Sequence, residues 1–206
     1  MTHSTKNQIL HSLYLQKSFG FKYVDSFEMH KNESSCDFLS ENVVKECTLC
    51  DASKITKDKI YSFGNKESEI LFVTTVPTMD KASHDTLVKM VENVLGIEFG
   101  NIYLASIIKC DISEKSLLLA NYISTCKGYI LNQIDQSNAK IIVTLGDSYK
   151  YLTGDDTDLV SIRGTIIKFH NINLIPIYHP SFLLRNPSLK KEALDDLKKI
   201  KLMMER

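Results

Sequence analysis

The feature that most constrains this chain is an alternation of short, β-branched apolar runs with longer stretches of helical spacing. Residues 69–75 (Glu-Ile-Leu-Phe-Val-Thr-Thr) and 140–145 (Lys-Ile-Ile-Val-Thr-Leu) are short and almost uniformly apolar, so they read as strands buried on both faces. Further strands are expected at 101–108, 165–169 and 173–178. Residues 84–95 carry Leu87, Val88, Val91 and Val94 at spacings of three and four and end at Gly96, which predicts a helix. Other helices are expected at 116–134, at 147–152 after Gly146, and at 187–204, where Leu189, Ala193, Leu197 and Ile200 share a face. The alternation predicts an α/β fold of three layers, α/β/α, around a central, mainly parallel sheet. Ligands of such sheets bind beyond the carboxyl ends of the strands, where segments 74–80, 106–111 and 179–185 fall.

The 206 residues fit one domain with a short extension. Residues 1–35 are expected to be an N-terminal helical extension and linker. Ile9, Leu10, Leu13 and Tyr14 stripe a helix over 7–18, Gly20 stops it, and residues 30–37 are polar. Residues 36–206 form the main domain, entered through a short helix at 38–44. Hydrophobic residues at 43% and charged residues at 24% describe an ordinary globular protein. No apolar run approaches the ~18 residues that cross a bilayer, and the first twenty residues carry no secretory pattern. A cytoplasmic monomer without a membrane partner is expected, in a compartment where thiols stay reduced. With 25 basic and 25 acidic residues the net charge is zero, which modestly disfavours nucleic-acid binding without excluding a local phosphate site.

Reduced cysteines more often bind metals than form disulfides. Cys47-Thr-Leu-Cys50 places two thiolates within reach of one metal from a tight turn. Cys110 directly follows the second strand, and Cys126 lies sixteen residues later in the long helix. A four-thiolate site from Cys47, Cys50, Cys110 and Cys126 suits structural zinc as well as iron and sulfur. A redox dithiol at 47 and 50, with Cys110 and Cys126 as small core residues, is the alternative. Cys36 sits in polar surroundings and receives no role.

The order of Cys47-x-x-Cys50, Ile107-Ile-Lys-Cys110, Cys126, Ile141-Ile-Val-Thr-Leu-Gly146, Arg163-Gly164 and His179-Pro-Ser-Phe-Leu-Leu-Arg-Asn-Pro187 resembles the family 4 uracil-DNA glycosylases, over roughly residues 38–204. The resemblance implies the uracil-DNA glycosylase-like fold and a [4Fe-4S] cluster of structural role on the four cysteines, with zinc as the alternative. It also implies DNA as partner and flipping of a uracil nucleotide into a pocket, followed by hydrolysis of its glycosidic bond during base-excision repair. His179 would stabilise the departing base electrostatically, and Ser181 would adjoin the ligand. Leu183 would be the wedge inserted into the base stack. Lys109, Arg163 and Arg185 would contact phosphates, although Arg163 has the alternative of pinning the loop before the next strand.

The sequence departs from that family where its first motif should stand. Thr74-Thr75-Val76-Pro77-Thr78-Met79-Asp80 keeps Pro77 but lacks the motif's glycines and acid. Asp80 is the remaining carboxylate, read either as the water-positioning residue or as the cap of the following helix. The family's Gly-x-Pro-Phe segment is missing, leaving no aromatic between Phe72 and Phe99 to stack on a base. Ser106 replaces the asparagine that reads uracil, and a hydroxyl cannot reproduce an amide's paired donor and acceptor. Two functions follow: a divergent glycosylase acting on uracil or a related base, or an inactive or weak iron–sulfur DNA-binding protein on the same scaffold. A structural protein whose cluster only holds the fold is a third.

Overall fold

A computed structural model of the chain describes residues 41–56, 58–113 and 117–205, all within one contiguous unit, Phe38–Arg206. The helix expected at 7–18, the polar linker and Cys36 lie outside the described residues. Two short helices, α1 (Glu41–Lys45) and α2 (Asp51–Ile55), flank the Cys47–Cys50 turn. Strands β1 (Ser62–Gly64) and β2 (Ile70–Thr74) follow, then α3 (Lys81–Lys89), which continues as a π-helical turn over Met90–Leu95. Next come β3 (Tyr103–Ser106), the long α4 (Leu119–Gln136), β4 (Ile141–Leu145), α5 (Ser148–Thr153) and α6 (Leu159–Ile162). The chain ends with β5 (Ile167–Phe169), β6 (Ile172–Ile177), α7 (Pro180–Arg185) and α8 (Lys190–Met204).

The strands form one sheet in the order β1-β3-β2-β4-β6-β5. The central β3, β2, β4 and β6 are parallel, and β1 and β5 are antiparallel edges. Every residue of β2 and of β4 is buried, as their apolar runs require. Alternate residues feed two separate cores. Leu71, Val73, Tyr103, Ala105 and Ile142 pack with Ile123, Tyr129 and Ile130 of α4. Ile70, Phe72, Val143 and Ile175 pack against Leu87 of α3 and Leu197 and Ile200 of α8. These two cores make the layers α/β/α that the alternation predicts. No described helix is long and apolar enough to cross a membrane.

The loop ahead of β5 is fixed electrostatically. Arg163 donates to Asp196 at 2.6 Å and to Glu192 at 2.7 Å, and its guanidinium lies 5.3 Å from the Tyr178 ring centroid. Arg163 is therefore engaged in pinning its loop to α8, the alternative role expected for it. Gly164 stands beside it at φ +65°, where a Cβ would lie 2.1 Å from Asp196 Oδ1. Only glycine allows α8 to approach this loop so closely. Asp196 is 1% exposed, so Asp196→Ala leaves the guanidinium without its buried partner. Denaturant unfolding is expected to show a loss of about 3 kcal/mol, with the midpoint falling and the slope unchanged.

Candidate functional site

A cavity of about 280 Å³ opens at the carboxyl edge of the sheet, at the small end of the usual range for ligand sites. Thr75 enters it from the end of β2, Gly146 and Asp147 from the end of β4, and Tyr178 and His179 from the end of β6. Tyr151 of α5 and Asp158 before α6 close one side, while Ser181, Phe182 and Arg185 of α7 close another. Gly146 has a positive φ of +61°, and a Cβ there would lie 3.0 Å from His179 Cβ. The two strand ends can meet only because that position carries no side chain.

His179 caps α7. The Ser181 backbone N–H donates to His179 Nδ1 at 3.2 Å, and Ser181 Oγ lies 2.7 Å from the same nitrogen. An amide N–H is an obligate donor, so Nδ1 accepts and the neutral ring carries its proton on Nε2. Burial holds the imidazole below its ordinary range, with Arg185 adding to the shift and the Asp80 and Asp147 carboxylates opposing it. The residue is therefore a neutral imidazole with a hydrogen-bond donor left for a ligand. Tyr178 and Phe182 stand beside it with ring centroids 5.3 Å apart, and together with Tyr151 they give the cavity an aromatic wall.

Of the expected site residues, His179, Ser181 and Arg185 converge on this cavity. Pro77 is half-buried in the loop after β2 and does not line it, although its neighbour Thr75 does. Asp80 takes the alternative role of helix cap: Oδ1 accepts from the Ser83 N–H at 3.0 Å and Oδ2 from the Ser83 hydroxyl at 2.6 Å. Ser106 is buried at the end of β3, away from the cavity lining.

Two further expected residues are placed by the fold in buried positions. Lys109 is 2% exposed, and its ammonium donates to Ser106 O at 2.6 Å, to Tyr61 O at 3.2 Å and to Gln133 Oε1. It has no donor to offer a phosphate, and burial pulls it down to about 7, opposed by Cys126. Leu183 is 2% exposed and belongs to the core beneath α7. The outward apolar side chains of that turn are Phe182 and Leu184, at 37% and 38% exposure.

Asp147, Tyr151, Tyr178 and Phe182 were not singled out by the sequence reading. The available signal was adjacency: Tyr178 directly precedes His179, and Asp147 directly follows the strand-ending Gly146.

The cysteines come together against the first half of α4. Cys110 and Cys126 are buried in one core, and Cys47 and Cys50 pack against it. Lys59 bridges to Cys110 across an antiparallel contact and donates to Cys47 O at 2.6 Å, tying the Cys47–Cys50 turn to the end of β3. Tyr129 donates to Cys47 Sγ at 3.6 Å. Burial pushes the Cys110 thiol up to about 11, and the charges of Cys126, Cys50 and Cys47 add to the rise. Burial raises Cys126 too, with Cys50 and Cys47 contributing. The four sulfurs thus feel one another's charge, a donor set that suits a thiophilic metal centre. Among the described residues, however, no three His, Cys, Asp or Glu side chains are disposed to hold a single metal ion.

The chain belongs to the uracil DNA glycosylase superfamily, whose family model matches residues 61–198. It is 30% identical to the type-4 uracil-DNA glycosylase of Sulfurisphaera tokodaii over 185 residues, spanning 81% of this chain and 84% of that protein. The type-4 enzyme of Thermotoga maritima is 27% identical, over 84% of this chain and 96% of its own. That of Saccharolobus solfataricus is 23% identical, over 79% and 84%. Within the superfamily, this is a member of the type-4 family.

The depressed His179 has a consequence for stability. A folded-state pKa below the ordinary histidine value of 6.5 means that the unfolded chain binds the proton more readily as pH falls through 6.5. The contribution of this group is present above that pH and is lost below it, down to the folded pKa. NMR titration of His179 is expected to give a midpoint below 6.5. The difference in unfolding free energy between wild type and His179→Ala should shift in the same pH window.

Proposed function

We propose that the protein is a DNA glycosylase that hydrolyses the N-glycosidic bond of uracil or a related base in DNA, acting in base-excision repair in the cytoplasmic compartment. The observation that carries this reading is the neutral, half-buried His179, with Nε2–H as its free donor, in the wall of a small aromatic-lined cavity. Charge develops on the base as the bond to the sugar breaks, and a preorganised donor in a water-poor site stabilises it far better than water does. Tyr178, Phe182 and Tyr151 offer the base apolar faces. Arg185 donates to Ser181 O at 3.2 Å from the exposed end of α7, so the rest of its guanidinium is placed for a phosphate at the rim. The wedge role expected of Leu183 passes to Leu184, which faces outward on the same turn.

A second reading, of a DNA-binding protein with little or no hydrolysis, is favoured by one observation: the first-motif loop has its carboxylate committed to capping α3. Oligonucleotides containing uracil, single- and double-stranded, incubated with anaerobically purified protein separate the two. Abasic sites are expected, and His179→Ala is expected to slow their formation about 100-fold or more while leaving DNA binding within a few-fold. Salt-dependent binding with no abasic product would favour the binder instead.

We further infer that Cys47, Cys50, Cys110 and Cys126 hold a [4Fe-4S] cluster. Four mutually interacting thiols suit thiolate ligation, and the resemblance to the family 4 enzymes is what favours a cluster over zinc. The cluster would fix α4 and the turns that carry the cysteines, a structural contribution. Iron and acid-labile sulfide are expected at about four each per chain, falling sharply in Cys126→Ala. One zinc per chain without sulfide would overturn the assignment.

A further inference from the structure

The cavity contains a carboxylate that neither the sequence nor the family resemblance singles out. Two acids line it, Asp147 and Asp158. Asp158 caps α6 by accepting from the Val160 N–H. Asp147 also occupies a helix-cap position, before α5, but its side chain makes no cap hydrogen bond. Its carboxylate is exposed and enters no ion pair with the described residues. Gly146 sets it directly beside the close approach of the β4 and β6 ends, and its charge acts on the His179 imidazole. Asp80 acts on His179 as well, yet both of its oxygens are held by Ser83 and it does not line the cavity.

We propose that Asp147 is a catalytic carboxylate of this protein, holding the attacking water and facing the positive charge that develops on the sugar. The inference rests on the glycosylase reading and deepens it. In the reaction the bond from C1′ to the base nitrogen breaks and its electron pair leaves with the base, whose anion is hydrogen-bonded by His179 Nε2–H. Water forms the new C1′–O bond and gives its proton to Asp147, and the released base later takes up a proton from solvent. A carboxylate at the end of β4, between the ends of β2 and β6, performs this role without an acid in the first-motif loop. Loss of that loop's acid is then compatible with retained activity.

The test compares wild type, Asp147→Asn and Asp80→Asn on uracil-containing DNA. It also measures their binding to DNA carrying either a cationic pyrrolidine abasic-site analogue or the neutral tetrahydrofuran analogue. Asparagine caps helices as well as aspartate does, so Asp80→Asn removes a charge and keeps the cap. Asp147→Asn is expected to slow base release about 100-fold or more and to weaken binding of the cationic analogue about tenfold. Its binding of the neutral analogue and its melting temperature should match wild type. Base release and cationic-analogue binding unchanged in Asp147→Asn would overturn the assignment, as would a loss confined to Asp80→Asn. Wild-type protein that releases no base from any substrate would overturn the glycosylase reading itself, and this inference with it. An active wild type with an unaffected Asp147→Asn overturns the inference alone.

Discussion

A buried ammonium organises the half of the molecule that carries the cysteines. Lys109 follows β3 and directs its Nζ inward to three acceptors, none of them a carboxylate: the carbonyls of Tyr61 and Ser106 and the Gln133 amide oxygen. Gln133 in turn donates to Tyr61 O and to the Tyr103 hydroxyl, both at 3.0 Å. One charged group thus joins the approach to edge strand β1, the end of β3 and the last turn of α4. Desolvating a lysine is costly unless its donors are satisfied, so these elements can adopt only arrangements that keep all three acceptors in place. Cys110 is the next residue in the chain, and Cys126 lies two turns before Gln133 on α4. The network therefore holds two of the four cysteines in register whatever occupies their sulfurs.

Helix α4 links that network to the cavity. Leu119 begins the helix and lines the cavity, and Cys126 follows seven residues later, about 10.5 Å along the axis and on nearly the same face. An anchor at Cys126 consequently steadies a wall of the cavity without touching a ligand. On the opposite side, α8 is tied to the loop before β5 by Arg163 and Asp196, and Arg163 lies over the Tyr178 ring. Both flanking layers thereby restrain residues of the site, although each does so through groups outside it.

How much of this could be read from the sequence follows from the range of the physics involved. The apolar periods of β2 and β4 and the stripe on α8 are local, and those elements are where the alternation places them. Edge strand β1 has three residues, Ser62-Phe63-Gly64, with no burial pattern to betray it. It exists because β3 offers a free edge. Helix α7 was hidden for a similar reason: its six residues begin with a proline that reads as a break, yet Pro180 occupies the first helical turn, where its missing N–H costs nothing. Lys109 and Leu183 illustrate the opposite failure. A cation at a strand end and a leucine in an exposed-looking turn have ordinary surface readings, and only tertiary neighbours distant in sequence bury them. The cavity itself draws on the ends of β2, β4 and β6, which lie about a hundred residues apart between Thr75 and His179, so its aromatic wall has no local signature.

The capping of α3 by Asp80 bears on how this sequence relates to its family. Here Ser83 engages both oxygens of Asp80, one through its amide and one through its hydroxyl, so the carboxylate is oriented toward the start of α3, and it does not line the cavity. With glycines absent from the loop, the backbone that remains is better suited to starting a helix than to approaching a ligand. What persists is the opposite wall, where Gly146 still admits the His179 strand end and Ser181 still fixes the tautomer. On the proposed assignment of Asp147, the chemistry of the site is shifted along the sheet, from the end of β2 toward the ends of β4 and β6. Because all three strands are parallel and adjacent, such a shift moves the carboxylate by about one inter-strand spacing, roughly 5 Å, and leaves the histidine where it was.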